Sequence, residues 1–125
     1  MIWQFILVAL GGSLGAMARY ATGILVRDYV TDSWPLATLL VNVAGSLGIG
    51  AVFVLLERGA IHADSRSLIV VGFFGAFTTF STFSLELLHM AERGEGSHAA
   101  LYALLSLGSC FAGAALGVFA ARTLI

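Results

Sequence analysis

Between residues 72 and 84 the chain reads GFFGAFTTFSTFS. The five hydroxyls of Thr78, Thr79, Ser81, Thr82 and Ser84 crowd into a short stretch, and four phenylalanines, Phe74, Phe77, Phe80 and Phe83, recur at every third position. An aromatic ring has a negative face and a positive edge. A ring edge flanked by hydroxyl or amide donors can therefore hold an anion without a formal positive charge. Asn42, the sole asparagine of the sequence, brings a carboxamide with two N–H donors. Tyr102, Ser106 and Cys110 follow at four-residue spacing, on one face of a helix, with Ser109 on the adjacent face. The same residue types also serve ordinary helix packing and interhelical hydrogen bonding, so two readings of them stand side by side.

Other chemistry is missing. Glu57 and Glu86 lie near the ends of apolar runs, and the remaining acids are in polar connections. His62 and His98 lie in or beside loops, and His89 is near the end of the third run. A proton-coupled carrier needs a titratable group at its substrate site, so passive conduction is expected rather than coupled exchange. There is no HExxH, no metal-ligand cluster, no nucleotide loop and no nucleophile–base pair inside an apolar run, which argues against an enzyme. Cys110 is the single cysteine and makes no internal disulfide.

The elements that must position these groups are membrane helices. The chain has 125 residues, 59% hydrophobic and 10% charged, with a mean hydropathy of +0.98. Soluble domains are about 45–50% apolar and about 25% charged. Disorder needs low hydrophobicity and high net charge. A net charge of −1 leaves no basic footprint for nucleic acid. Charge-free runs separated by polar clusters give four spans, at about 2–26, 33–56, 67–89 and 97–122, in a single domain covering 1–125. Arg27, Asp28 and Asp32 mark the first loop, and Pro35 falls near the first turn of the second helix. Ala16-Met17-Ala18 resembles a signal-peptidase site, but no basic side chain precedes the first run, so a first transmembrane helix is expected.

Orientation is set by Lys/Arg in short loops. One side carries Arg58, Arg66 and Arg122; the other carries Arg27, Arg93 and, if the first helix ends near it, Arg19. So even a distribution allows insertion in both directions and an antiparallel dimer; the alternative is that one arginine decides. Small residues at four-residue spacing (Gly11 and Gly15, Ala44 and Gly48, Gly113 and Gly117) let backbones approach closely, which suggests tight packing that includes a partner subunit.

Gly72 and Gly75 weaken a helix just before the hydroxyl cluster, and Ser/Thr side chains can satisfy the backbone groups that an interrupted helix frees. A break near residues 75–79 is expected, the alternative being a continuous helix whose hydroxyls bond back one turn. A break leaves carbonyls with partial negative charge on the preceding half-helix, and unwound backbone of this kind coordinates Na⁺.

Three motifs, Gly15-Ala16-x-x-Arg19-Tyr20, Val41-Asn42-Val43-Ala44-Gly45-Ser46 and the 72–84 run followed by Glu86, resemble the Fluc/CrcB fluoride channel family over essentially the whole chain. The resemblance implies an all-α integral membrane protein with four transmembrane helices, the third broken mid-membrane, in an antiparallel dual-topology homodimer. It implies two fluoride pores, passive export that lowers cytoplasmic fluoride, and a structural Na⁺ at the dimer centre that is not transported. A bacterial inner membrane is the implied location. Phe80 and Phe83 resemble the pore phenylalanines, with Phe80 of one subunit able to share a pore with Phe83 of the other. Asn42 resembles the pore asparagine and Arg19 the vestibule arginine. Tyr102 and Ser106 resemble the polar track of the last helix, and Thr82, Ser84 and Glu86 extend the path. Cys110 stands where that pattern has a hydroxyl, with Ser109 as the alternative. The backbone carbonyls of Gly75 and Thr78 resemble the Na⁺ ligands. The rival transporter class, a small multidrug-type antiporter, needs a buried carboxylate in the first helix, and residues 2–18 have none. A non-transporting assembly subunit is a third class, which would carry no ion flux alone.

Overall fold

Pro35 and two glycines fix where helices begin and end. The structure is a computed structural model that describes residues 1–30 and 34–125. Helix α1 spans Ile2–Tyr29, α2 Leu36–Glu57, α4 Phe80–Glu92 and α5 Gly96–Leu124. Between α2 and α4 lies α3, a π-helical stretch Arg66–Phe74 continued by one α-helical turn, Gly75–Phe77. The chain is all-helical among the described residues, and Ile2–Tyr29, Leu36–Glu57, Arg66–Glu92 and Gly96–Leu124 are each long and apolar enough to cross a membrane.

Helix α2 opens with Pro35 at its N-cap, where the missing proline N–H costs no helical bond. It closes at Gly59, and α4 closes at Gly94; both glycines have positive φ, 65° and 75°. At each end the two residues after the cap bond backward, Gly59 N to Leu56 O and Ala60 N to Leu55 O, Gly94 N to Ala91 O and Glu95 N to Met90 O. This left-handed closure satisfies the last helical carbonyls and turns the chain back within a few residues.

Most helix ends lie one to three residues from the expected bounds. Helix α1 runs past residue 26 through Arg27 to Tyr29, because Arg27, Asp28 and Tyr29 include neither glycine nor proline to end it. Arg19 therefore sits well inside α1 and belongs to neither loop, so the arginine balance becomes Arg58, Arg66 and Arg122 against Arg27 and Arg93. The loop position of Asp32 and the start of the second span at residue 33 lie outside the described residues. The π-helical winding of 66–74 does not follow from residue types; such stretches are rare and short, and they gather at functional sites.

Helix α1 packs along α3, and α2 packs along α5, with α4 resting on α5. The glycine seams serve these contacts inside one chain. A methyl group on Gly11 or Gly15 would run into the backbone carbonyls of Leu68 or Phe73 on α3, and one on Gly117 into the carbonyl of Leu47 on α2. Helix α2 comes equally close to the Thr78 side chain at Gly45. The buried apolar core is small and centres on Phe83, Met90 and Tyr102, with Trp34, Leu39 and Leu87 packed against it. Large apolar side chains on every helix, among them Leu14, Leu40 and Phe111, point outward, a surface suited to lipid or to a second subunit rather than to water.

Candidate functional site

The site is built around two residues that are not helical. Thr78 (φ −85°, ψ 158°) and Thr79 (φ −150°, ψ 122°) have extended backbone between α3 and α4. Each polar group freed there can be followed. Thr78 donates to the Phe74 carbonyl twice, from its N–H (3.1 Å) and from its hydroxyl (2.8 Å). The Ala76 carbonyl accepts from Arg19 Nε at 3.0 Å, a cation at the negative end of a helical segment. The Thr79 N–H donates to Asn42 Oδ1 (2.8 Å), and the Thr79 carbonyl accepts from Asn42 Nδ2 (3.0 Å). Thr79 Oγ1 accepts from the Thr82 N–H at 3.2 Å and so caps α4; it also donates to the Thr82 hydroxyl at 3.0 Å. The carbonyls of Gly75 and Thr78 accept no hydrogen bond among the described residues.

Asn42 is thus a backbone surrogate for Thr79. One of its two amide hydrogens is spent on the Thr79 carbonyl, which leaves a single donor where the sequence suggested two.

The two threonines, with Asn42, open onto a cavity of about 320 Å³ lined also by Gly45, Ser46, Ile49, Phe74, Phe80, Phe83, Ser106, Leu107 and Cys110. Among the described residues no charged side chain lines it. Phe80 and Phe83 of the same chain stand 5.4 Å apart, tilted by 49°, yet their settings differ: Phe83 is 5% exposed and Phe80 72%. The phenylalanine stripe divides at the extended pair, since Phe74 and Phe77 pack instead with Phe73. Ser106 is 5% exposed, and its Oγ is buried without a hydrogen-bond partner among the described residues. Thr79 also lines a second cavity, of about 440 Å³, together with Arg19, Arg27, Thr38 and Thr82. It therefore stands between an uncharged space and one edged by two arginines.

Glu86 turns its carboxylate into the bundle. Thr38 Oγ1 donates to Oε1 at 2.6 Å and Tyr102 OH to Oε2 at 2.7 Å. The sequence reading sets Glu86 near a span end and, through the family resemblance, on the anion path; six residues from the end of α4, it is bound by hydroxyls from α2 and α5. Ser84 and Ser109 lie apart from both cavities, their hydroxyls bonded back to the carbonyls of Phe80 (2.9 Å) and Leu105. Thr38, Ser46, Thr79 and Arg27 are polar residues at the two cavities that the sequence reading leaves out of the site. The signal for Thr38 was available, since it sits four residues before Asn42 on the same face of α2.

The family described as CrcB-like protein, Camphor Resistance (CrcB), matches residues 6–118. Among similar proteins, a fluoride-specific ion channel FluC of Coxiella burnetii is 42% identical over 121 residues, 95% of this chain and 98% of that protein. The protein of the same name from Thermus thermophilus is 41% identical over 104 residues, 83% of each chain. That of Nitrobacter winogradskyi is 44% identical over 119 residues, 90% of this chain and 94% of its own length.

Proposed function

The chain belongs to the CrcB family, and from that premise we propose that it is a passive, fluoride-selective ion channel that lets fluoride leave the cytoplasm across a bacterial inner membrane. It is a multi-pass membrane protein of a channel family and not an enzyme. The observation that carries the reading is the uncharged cavity in which Asn42, Phe80, Phe83 and Ser106 meet beside the extended Thr78–Thr79 pair.

Selectivity follows from what such a path offers. A small, strongly hydrated anion must exchange water for donors, and the donors within reach are the hydroxyl of Ser106, the remaining amide hydrogen of Asn42 and the positive ring edges of Phe80 and Phe83. Ring edges attract an anion without trapping it as a fixed cation would, and conduction needs sites weak enough to leave. Arg19 and Arg27 raise the anion concentration in the adjoining cavity. Beyond Phe83, the hydroxyls of Tyr102 on α5 and Thr38 on α2, both held by Glu86 of α4, extend the polar lining past the cavity.

The functional unit in this reading is an antiparallel, dual-topology homodimer. A two-fold axis in the membrane plane makes two paths of opposite direction from one oriented chain. The open side of the cavity, the exposed Phe80 and the near balance of arginines support it. A structural Na⁺ fits the carbonyls of Gly75 and Thr78, which lack hydrogen-bond donors. Bound there, the ion would neutralise the negative end of α3 and hold the extended pair in place, with two oxygens from each subunit.

Efflux from proteoliposomes, followed with a fluoride electrode in Na⁺ and in N-methylglucamine media, tests the reading. Fluoride efflux far faster than chloride efflux, and dependent on Na⁺, is expected. Chloride moving as fast as fluoride overturns the selectivity, and full flux without Na⁺ overturns the role of the metal.

A further inference from the structure

Trp34 takes no part in the path described so far, yet it touches what orients it. Its indole stands edge-on to the ring of Tyr102, with centroids 6.2 Å apart and planes at 86°. Tyr102 is fully buried, and its ring also meets Phe83 at 5.2 Å. Tyr102 therefore joins three things: the indole of Trp34, a phenylalanine of the anion cavity, and the carboxylate of Glu86, to which its hydroxyl donates. Four residues after Trp34, Thr38 holds the other oxygen of Glu86. The exposed imidazole of His98 lies against the same indole, 5.9 Å between centroids.

We infer that Trp34 is a positioning residue of the anion path: its indole fixes the Tyr102 ring and, through the hydroxyl of that ring, the aim of Glu86. This inference rests on the proposed channel function. A phenol has few internal rotations, so its hydroxyl points where the neighbouring rings hold it. Removing the indole leaves a void beside Tyr102 and frees it to turn away from Glu86. The carboxylate would then keep one hydroxyl donor, from Thr38, instead of two.

The test is fluoride efflux from proteoliposomes carrying Trp34→Ala, Trp34→Phe, Tyr102→Phe and the Trp34→Ala/Tyr102→Phe double variant. Misplacement of a positioned group costs rate steeply, so Trp34→Ala should lose about tenfold or more in flux, while Trp34→Phe, which keeps a ring, recovers most of it. Because Trp34 acts through the Tyr102 hydroxyl, the double variant should be no slower than Tyr102→Phe alone. Wild-type flux in Trp34→Ala, or losses that multiply in the double variant, would overturn the inference. Should Trp34→Ala fail to form the wild-type oligomer, Trp34→Leu takes its place under the same comparison. The contact is also read without flux. In a Trp3→Phe background Trp34 is the sole tryptophan, and Tyr102→Ala should move its emission to the red. Unchanged emission overturns the link, whereas a wild-type protein that conducts no fluoride overturns the channel reading and leaves the emission to decide on Trp34.

Discussion

The carboxamide of Asn42 hydrogen-bonds both backbone polar groups of Thr79, its oxygen taking the N–H and its nitrogen giving to the carbonyl. One side chain on α2 thereby replaces the two helical bonds that the chain forgoes between α3 and α4. Buried backbone groups without partners cost about 1–3 kcal/mol each. Asn42→Ala should therefore destabilise the protein by roughly 2–6 kcal/mol and abolish fluoride flux together. Asn42→Asp keeps an acceptor for the Thr79 N–H but sets two oxygens against the Thr79 carbonyl, and it adds a negative charge to an anion's route. Its flux should fall further than its thermal stability does. Detergent-phase melting alongside efflux separates the two: Asn42→Asp conducting normally would remove the carboxamide from conduction, and Asn42→Ala melting as the wild type does would remove it from holding Thr79.

Phe80 and Phe83 allow flux and stability to be separated. Both rings line the cavity, but Phe83 is 5% exposed and contacts Tyr102, whereas Phe80 is 72% exposed. Phe80→Ile and Phe83→Ile should each reduce fluoride efflux severely, since an aliphatic side chain has no positive edge. Only Phe83→Ile should also lower stability within a single chain, by about 1–3 kcal/mol. Electrode traces on both variants, with their oligomeric state checked by gel filtration, decide it. Wild-type-like flux in both would exclude the rings from conduction.

The glycines of α1 are not equivalent. A methyl group on Gly15 would strike the Phe73 carbonyl, while one on Gly23 meets nothing within 4 Å. Gly15→Ala should force α1 away from α3 and cost about 1–3 kcal/mol through overpacking. Gly23→Ala should be neutral or stabilise by about 0.5–1 kcal/mol, because alanine loses less entropy in a helix. Melting temperatures of the two variants, prepared identically, check the order. If both behave alike, the α1–α3 contact is looser than its backbone separation implies.

The helices were legible in the sequence because hydrocarbon imposes a single local rule: a span needs an uninterrupted apolar stretch, and charges mark its ends. Residue types could also point to 75–79, since clustered hydroxyls after glycine disfavour a regular helix. They could not specify that Thr78 and Thr79 alone are extended, or that Gly75 stays helical; that depends on Asn42 and Arg19 reaching across from other helices. The same holds for Glu86, whose two hydroxyl donors come from helices 48 and 16 residues away in sequence. The glycine seams were readable as close contacts, but not as contacts of α1 with α3 and α2 with α5 within one chain. Pairing between helices is long-range information that spacing along one helix does not carry.

Arg19 combines two physical effects that substitution can divide. Its Nε donates to the Ala76 carbonyl at 3.0 Å, and its charge edges the 440 Å³ cavity beside Thr38 and Thr82. Arg19→Gln keeps an N–H donor of shorter reach and removes the charge; Arg19→Lys keeps the charge and gives up the planar guanidinium. If attraction of anions is the main contribution, Arg19→Lys conducts nearly as the wild type does, while Arg19→Gln is slower at low salt. That deficit should shrink as ionic strength rises, because screening at about 0.15 M already limits a charge's reach to about 8 Å. If closing the end of α3 is the main contribution, both variants lose flux equally at every salt concentration and both melt earlier. Efflux rates taken across a salt series for the two variants distinguish these outcomes, and a salt-independent deficit in Arg19→Gln alone would contradict both.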